Sequence, residues 1–295
     1  ATGFSAATLN PFTIGIAQGI AQVPPGSGLV FRIVCLILFE GLAIGYLIFY
    51  ARRVKADPAR SIVKDVTFSM DEGMSREQME ALPFTARQKG IIGLFVLTIG
   101  ILVYGTTQLG WYLPQLSALF LVMSFVVGLV GGYNLSQVCV FLVKASSEVI
   151  FGALAVGVAR SMSIVMEQGN ITDTVIYYLT NMLQGLPREV AAVGMVLVQN
   201  IINFFIPSGS ANAAVTMPIM APLADSVGLS RQIAVLAYQF GDGFSNIFWP
   251  TSVATECGLM GIPIQKWYKF VTPLFGMILA LQIIMIVIAT MINYS

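Results

Sequence analysis

Residues 203–214 form a short polar break inside strongly apolar sequence. The side chains that could bind a ligand there are hydroxyls and amides: Asn203, Ser208, Ser210 and Asn212. Their oxygens can coordinate a hard cation such as Na⁺, and the free amide groups of a helix that begins after the break can hold a carboxylate. Gly209 would let a ligand approach the backbone closely. The alternative role of such residues is to hold membrane helices together by hydrogen bonds.

A second polar break follows at residues 241–246, closed by residues 249–252, and it contains Asp242. An ionisable side chain inside apolar membrane sequence is costly and therefore indicates a function. No lysine or arginine lies between Gln232 and Gln265 to pair with it locally. We predict that Asp242 holds a coupling cation, carries a proton, or pairs with the ammonium or guanidinium group of a substrate. The structural alternatives are a helix cap and an ion pair with a cation from a missing segment.

The other predicted ligand-binding residues lie near Asp242 or near the start of the chain. Gln239, Asp242 and Asn246 share one helical face through their i, i+3 and i+7 spacing. The opening segment at residues 7–19 has a similar polar pattern, which indicates an internal repeat and another broken helix at the same site. The predicted substrate- or ion-binding residues are Asn10, Thr13, Asn203, Ser208, Gly209, Ser210, Asn212, Gln239, Asp242, Ser245, Asn246, Thr251 and Ser252. The predicted Na⁺ ligands among them are Ser208, Ser210, Asn212 and Asn246.

Composition indicates which elements carry these residues. The chain is 57% hydrophobic and 10% charged, with a mean hydropathy of +0.83, whereas soluble domains carry about 25% charged residues. Several continuous apolar runs are long enough to cross the roughly 30 Å hydrocarbon core of a bilayer. These runs are Leu29–Tyr50, Ile91–Tyr112, Leu113–Gly132, Val149–Met166 and Phe270–Met291. The sequence therefore predicts an all-α polytopic membrane protein that has the lipid bilayer as a partner.

Charge predicts how these spans are oriented. Basic residues concentrate in segment 51–90, and the positive-inside rule places this segment in the cytoplasm. The alternating directions of the spans agree with this orientation only if segment 188–227 is a re-entrant hairpin or forms an even number of spans, and we predict the hairpin. Interfacial helices are predicted at Met74–Lys89 and Asp173–Leu186. The predicted domains are 1–50, a broken helix and span of a transport domain; 51–90, a cytoplasmic loop with an interfacial helix; 91–166, scaffold spans; 167–187, an outer interfacial arm; and 188–295, the rest of the transport domain. The last of these contains hairpin 188–227, broken helix 232–261 and last span 270–292. Lys144 is predicted to lie in a stretch on the inner side of the membrane.

The net charge and the scarcity of histidine and cysteine limit the functions that the sequence supports. The net charge of +1 gives no argument for nucleic-acid binding, and we expect no nucleic-acid partner. The sequence has no histidine, and Cys35, Cys139 and Cys257 show no paired spacing, which weighs against a metalloenzyme. We expect no cofactor beyond coupling to Na⁺ or H⁺.

Because the chain begins at Ala1 without a methionine or a signal pattern, we expect a fragment that lacks an N-terminal part, with a cleaved signal as the alternative.

Four segments closely resemble the YfcC family, which is grouped with the C4-dicarboxylate anaerobic carriers of bacteria in the wider ion-transporter superfamily. They are NPFTIGIAQ at 10–18, FIPSGS at 205–210, MPIMAPLAD at 217–225 and QFGDGFSN at 239–246. The resemblance implies an inverted-repeat fold with a scaffold and a mobile transport domain, elevator motion, homodimerisation and location in the bacterial inner membrane. In divalent-anion relatives, a Ser-Asn-Thr hairpin tip binds Na⁺ and substrate carboxylate. The matching tip here is Ser208-Gly209-Ser210, so the central amide is absent and Asn212 is the candidate replacement.

These features together predict a secondary active transporter for a small carboxylate-bearing solute. An amino acid, in particular a basic one moved by antiport, is preferred because Asp242 beside an anion-binding hairpin suits a zwitterion or a cation. The alternative is a C4-dicarboxylate transporter that is coupled to Na⁺ or H⁺ or works by exchange.

Two other classes of membrane protein fit the sequence less well. A membrane-embedded enzyme would need a nucleophile–base or metal constellation. Asp242 and Glu256, the two candidates for it, lie about 21 Å apart along a helix. A channel or receptor would show rings from repeated subunits or a large ligand domain, and the sequence indicates neither. We therefore predict a transporter and not an enzyme.

Overall fold

The structure, a computed structural model, describes residues 2–10, 12–66, 84–111 and 113–295. These residues form helices and turns, and no strand occurs among them. The predicted all-α class is therefore confirmed. Most of the predicted interfacial helix Met74–Lys89 lies outside the described residues, and its last residues, from Ala86, belong to the helix that follows.

The helices are numbered here in chain order. They are α1 (Thr2–Ser5), α2 (Ile14–Ala21), α3 (Leu29–Ala56), α4 (Ala86–Gln108), α5 (Leu113–Val130), α6 (Leu135–Gln168), α7 (Ile171–Asn181), α8 (Arg188–Phe205), α9 (Gly209–Ser226), α10 (Arg231–Ser245), α11 (Pro250–Met260) and α12 (Ile264–Met291), with a 3-10 turn at Pro58–Arg60. Four stretches within the described residues are long and apolar enough to cross a membrane: Leu29–Ala56, Ala86–Gly105, Arg188–Phe205 and Ile264–Met291. Their length and composition support the prediction of a polytopic membrane protein.

The chain divides into two compact units. The first unit comprises Ala1–Val66 and Phe151–Ser295, and the second comprises Thr67–Ile150. The two parts of the predicted transport domain, 1–50 and 188–295, both fall in the first unit, whereas the predicted scaffold spans at 91–166 are divided between the units. The assignment of transport and scaffold roles to these segments stays a prediction.

Helix α10 forms the centre of the first unit. Each of its residues from Gln232 to Ser245 is buried, and it packs against α1, α2, α8, α9 and α12. Gln282 of α12 is fully buried, and its Nε2 donates to the carbonyl oxygen of Phe240 over 2.8 Å. A helix that carries Gln239 and Asp242 is thus shielded on every side by protein.

Prolines determine where two of the helices are interrupted. A residue before proline is disfavoured in the α conformation, and Ile206, which precedes Pro207, has φ −122° and ψ 76° and follows the last residue of α8. Trp249, which precedes Pro250, has φ −70° and ψ 135°, and α11 begins at that proline. These breaks leave helix ends inside the first unit, where their polar groups can bind a ligand.

The second unit contains α4, α5 and the first part of α6. A capping box begins α4, since Thr85 Oγ1 accepts from Gln88 N and the Gln88 side chain accepts from Thr85 N. Arg87 Nη1 donates to the Gly131 carbonyl oxygen over 3.1 Å, which ties the start of α4 to the turn after α5. No predicted ligand-binding residue lies in this unit.

Two boundaries differ from the sequence-based expectation. The helix that contains the predicted span Val149–Met166 begins earlier, at Leu135, and runs unbroken to Gln168, because no glycine or proline lies between Leu135 and Phe151. The second break lies at residues 246–249 and not at Asp242, because α10 continues to Ser245.

Candidate functional site

The first turn of α9 brings the breaks of the first unit together. Gly209 begins this helix, and a Cβ atom at that position would lie 2.7 Å from Thr13 Cγ2 and 3.0 Å from Asp242 Oδ2. Thr13 immediately precedes α2, and Asp242 lies in the last turn of α10. The structure thus places residues from all of the predicted broken segments around one point, where glycine is needed for the close approach.

Asp242 is fully buried and is held by an amide. Its Oδ1 accepts a hydrogen bond from Asn212 Nδ2 over 3.1 Å, whereas its Oδ2 has no hydrogen-bond partner among the described residues. The described residues also provide it with no ion pair. Burying a carboxylate oxygen without a hydrogen-bond donor costs free energy. This atom therefore suits a cationic partner or a proton.

Tyr238 fixes the backbone beside this carboxylate. It lies one turn before Asp242 on α10, and its Oη donates to the Gly209 carbonyl oxygen over 2.7 Å. Tyr238 is not among the site residues that the sequence predicted. It could have been predicted from its spacing, because Tyr238 lies four residues before Asp242 and residues at that spacing share a helix face.

Asn203 crosslinks α8 to the end of α10. Its Nδ2 lies 3.1 Å from the Asp242 carbonyl oxygen, 2.6 Å from Ser245 Oγ and 3.1 Å from Asn246 Oδ1. Asn246 Nδ2 in turn donates to the same Asp242 carbonyl oxygen over 2.9 Å. These contacts satisfy polar groups at the C-terminal end of a buried helix, so these three side chains position the break.

Several buried oxygens of the predicted site residues have no hydrogen-bond partner in the described part of the chain. They are Thr13 Oγ1, Asn203 Oδ1, Asn212 Oδ1, Asp242 Oδ2 and Thr251 Oγ1. Since most buried polar atoms in proteins are hydrogen-bonded, such a group of acceptors indicates that a donor or cation belongs there. Carboxylate, amide and hydroxyl oxygens are ligands that hard cations prefer.

The residues at the start of α9 favour a negatively charged ligand instead of a cation. Ser208 is the N-cap of α9 and has an extended backbone, but its side chain makes no capping hydrogen bond. The first amide groups of α9, from Gly209 and Ser210 onward, therefore lie at a helix N-terminus, which favours a negatively charged group. Ser208 and Ser210 are both half-buried, so a solute can reach them.

Some predicted site residues have other contacts. Gln239 Nε2 donates to the Phe4 carbonyl oxygen, which ties α10 to α1. Asn10 Oδ1 accepts from Phe12 N over 2.9 Å and so stabilises the turn before α2. Ser252 Oγ reaches Asn246 Oδ1 at 3.5 Å, a long contact at the edge of the break.

The comparisons with known proteins identify the family. The profile of the family described as DcuC, C4-dicarboxylate anaerobic carrier, matches residues 1–291. The chain belongs to this family. It is therefore a member of a membrane transporter family, as the resemblance of its motifs predicted.

Two curated relatives agree with this membership. The DcuC-family chain is 34% identical over 290 residues to an uncharacterized protein of Haemophilus influenzae, covering 97% of the chain and 57% of the relative. It is 32% identical over 305 residues to the Escherichia coli protein described as "Putative basic amino acid antiporter YfcC", covering 99% of the chain and 60% of that relative. The chain thus spans about three fifths of the length of these relatives. No solved structure matches it significantly.

The DcuC-family chain also has a second buried polar layer beside the site. Gln199 Nε2 donates to Thr216 Oγ1 over 3.0 Å, and Thr216 Oγ1 donates to the Asn212 carbonyl oxygen over 2.7 Å. Trp249 Nε1 donates to the Asn200 carbonyl oxygen over 2.8 Å. Gln199 and Trp249 were not predicted as site residues. The position of Gln199, a polar amide inside the apolar helix α8, is the sequence feature that could have predicted a buried hydrogen bond there.

Proposed function

We propose that this DcuC-family chain forms the solute-binding part of a secondary active transporter for a small carboxylate-bearing solute. The preferred solute is an amino acid, in particular a basic amino acid moved by antiport. The observation that carries this choice is the fully buried Asp242 carboxylate, whose Oδ2 lies beside the N-terminus of α9 with no partner among the described residues.

The cationic end of the solute belongs at Asp242. An ammonium or guanidinium group can donate to Asp242 Oδ2 and to the neighbouring Asn212 Oδ1 and Thr13 Oγ1, which lack donors within the described chain. Each such charge-assisted hydrogen bond is stronger than one between neutral groups. A bound cation would also compensate a buried charge that costs several kcal/mol when left alone.

The carboxylate end belongs at the start of α9. Ser208 and Gly209 lie at a helix N-terminus, where amide groups and the helix dipole favour an anion. Because Gly209 has no Cβ, Thr13 and Asp242 approach the start of this helix closely. A cation site and an anion site this close together suit a solute that carries both charges, which supports an amino acid over a dianion.

The family description supports a second candidate. A C4-dicarboxylate could use the same helix N-terminus for one carboxylate, with transport coupled to Na⁺ or H⁺ or working by exchange. The oxygens near Asp242 would then hold the coupling ion. Ser208, Ser210, Asn212 and Asn246 are the proposed Na⁺ ligands, and the unpartnered Asn212 Oδ1 is the one that the described contacts favour most.

The proposed transport cycle extends the sequence-based expectations. We propose that α8 and α9 form a re-entrant hairpin, that α10 and α11 form a broken spanning helix, and that an inverted-repeat partner completes the site. We also propose elevator motion of the transport domain, a homodimer, and insertion into the bacterial inner membrane with segment 51–90 in the cytoplasm. The breaks at 206–208 and 246–249 support the first two of these proposals.

The decisive experiment is uptake into proteoliposomes that contain the full-length protein. Labelled arginine, ornithine, neutral amino acids, succinate and fumarate are compared, with and without a Na⁺ gradient and an internal exchange substrate. Asp242→Asn is tested beside Asp173→Asn, which removes an exposed carboxylate from α7.

Each outcome decides between the candidates. Uptake of a basic amino acid that Asp242→Asn abolishes and Asp173→Asn preserves supports the first proposal. Na⁺-dependent uptake of succinate or fumarate alone would show that the dicarboxylate proposal is right and that Asp242 serves the coupling ion or the fold. Uptake of none of these solutes by folded protein contradicts both candidates.

A further inference from the structure

An apolar groove runs along the outside of the first unit between α3 and α12. It has a volume of about 510 Å³, and its lining is apolar. The lining residues are Gly41, Leu42, Gly45, Tyr46, Phe49, Pro273 and Met277. A Cβ atom at Gly41 or at Gly45 would meet no atom within 4 Å, so these glycines form an open floor.

The two helices that form the groove are antiparallel and fixed. Tyr46 Oη donates to the Phe270 carbonyl oxygen over 2.6 Å, and the rings of Tyr50 and Phe270 lie 5.0 Å apart at their centroids. At the other end of the same pair, the rings of Phe31 and Tyr294 are 4.9 Å apart. The groove is therefore held open by contacts on either side of it along the helices.

One end of the groove is basic. Arg53 lies one turn beyond Phe49 on α3, with Arg52 beside it, and Lys269 lies one turn before Pro273 on α12. All three side chains are exposed. Because residues four apart share a helix face, Arg53 and Lys269 continue the two rows of side chains that line the groove.

We propose that this groove binds one anionic phospholipid. An acyl chain would lie against Gly41, Gly45 and Met277, and the phosphate would meet Arg53 and Lys269. Basic residues immediately beyond a membrane helix attract anionic headgroups, and their long side chains reach along the apolar surface to the interface. The inference stands independently of the transported solute.

The charge at the groove end distinguishes a lipid from a second copy of the chain. A twofold axis along the membrane normal would place two identical clusters of Arg52, Arg53 and Lys269 at the same membrane depth. Like charges so arranged repel, whereas a phosphate neutralises them. A lipid also fits a narrow apolar groove that ends in positive charge.

The test measures lipid adducts on the full-length protein by native mass spectrometry. Dioleoylphosphatidylglycerol and dioleoylphosphatidylcholine are added in equal amounts to delipidated protein. The variant Gly41→Leu/Gly45→Leu fills the groove, and its matched control is Gly93→Leu/Gly100→Leu, at exposed glycines of α4 where a Cβ also meets nothing within 4 Å. The charge variant is Arg53→Gln/Lys269→Gln, and its control is Lys55→Gln/Lys64→Gln, at exposed lysines outside the groove.

The expected result is a phosphatidylglycerol adduct on the wild type and on both controls. Gly41→Leu/Gly45→Leu should lose it, and Arg53→Gln/Lys269→Gln should weaken it by about fivefold for each charge removed. Equal retention in a groove variant and its control, equal binding of the two lipids, or no adduct on the wild type overturns the proposal. A disulfide between two copies carrying Gly41→Cys would show instead that the groove is a protein interface.

Discussion

Asn212 Nδ2 donates to Asp242 Oδ1 over 3.1 Å and so joins the first turn of α9 to the last turn of α10. The contact connects the start of α9 to the buried carboxylate. Asn212 Oδ1 and Asp242 Oδ2 have no hydrogen-bond partner among the described residues. The contact between the two residues therefore leaves one acceptor on each helix for a donor to occupy.

The first prediction concerns the coupling between these residues. Asn212→Ala should lower the free energy of unfolding, because it leaves a buried carboxylate without its donor. In a cycle with Asp242→Ala, the double variant should deviate from additivity by about 0.5–3 kcal/mol. Denaturant unfolding in mixed micelles measures this. Additive effects of the two substitutions would mean that the contact contributes nothing to the fold.

The second prediction concerns the close approach at Gly209. Gly209→Ala should reduce transport by the full-length protein, because the new Cβ lies 2.7 Å from Thr13 Cγ2 and 3.0 Å from Asp242 Oδ2. Thr13→Ser removes Cγ2, so the double variant Gly209→Ala/Thr13→Ser should recover part of the activity. Initial rates of uptake into proteoliposomes measure both effects. If Thr13→Ser gives no recovery, the loss does not arise from the contact with Thr13.

The individual polar residues of the site could be predicted from the sequence. Asp242 is conspicuous because a carboxylate in apolar sequence is costly, and Pro207 marks a break because it excludes helix from the residue before it. Both signals are local. The DcuC-family match confirms the transporter class that they indicated.

The contacts between these residues could not be predicted in the same way. Thr13 and Gly209 are distant in the chain, and their proximity follows from the packing of α2 on α9. The position of the second break also depends on packing. Gly241 and Gly243 have low helix propensity and therefore favour a break in the helix. In the structure they instead allow α8 and α1 to pack closely against α10, and the helix continues to Ser245.

The third prediction concerns the crosslink made by Asn203. Asn203→Leu keeps a similar volume but removes the donor that reaches the Asp242 carbonyl oxygen, Ser245 and Asn246. The free energy of unfolding should fall by about 1–3 kcal/mol, because buried acceptors lose a hydrogen-bond partner. The melting temperature in detergent measures this. Ile201→Ala, at a side chain 43% exposed on the same helix, is the control and should change it less; a larger shift for Ile201→Ala would contradict the prediction.

The fourth prediction concerns the contact between α8 and α10. A Cβ atom at Gly241 would lie 2.8 Å from both the Asn200 amide nitrogen and the Val196 carbonyl oxygen. These are backbone atoms of α8, which cannot move aside as a side chain can. Gly241→Ala should therefore separate the helices and destabilise the protein by about 1–3 kcal/mol.

Gly93→Ala is the matched control for this substitution. A Cβ atom at Gly93 of α4 meets no atom within 4 Å, so alanine there should leave stability unchanged or raise it by up to about 1 kcal/mol through its better helix propensity. The melting temperatures of the two variants should therefore move in opposite directions, or that of Gly241→Ala alone should fall. Equal stability of the two variants would mean that α8 and α10 are not in contact at Gly241, and the site formed by Asn203 and Asp242 would lose its structural basis.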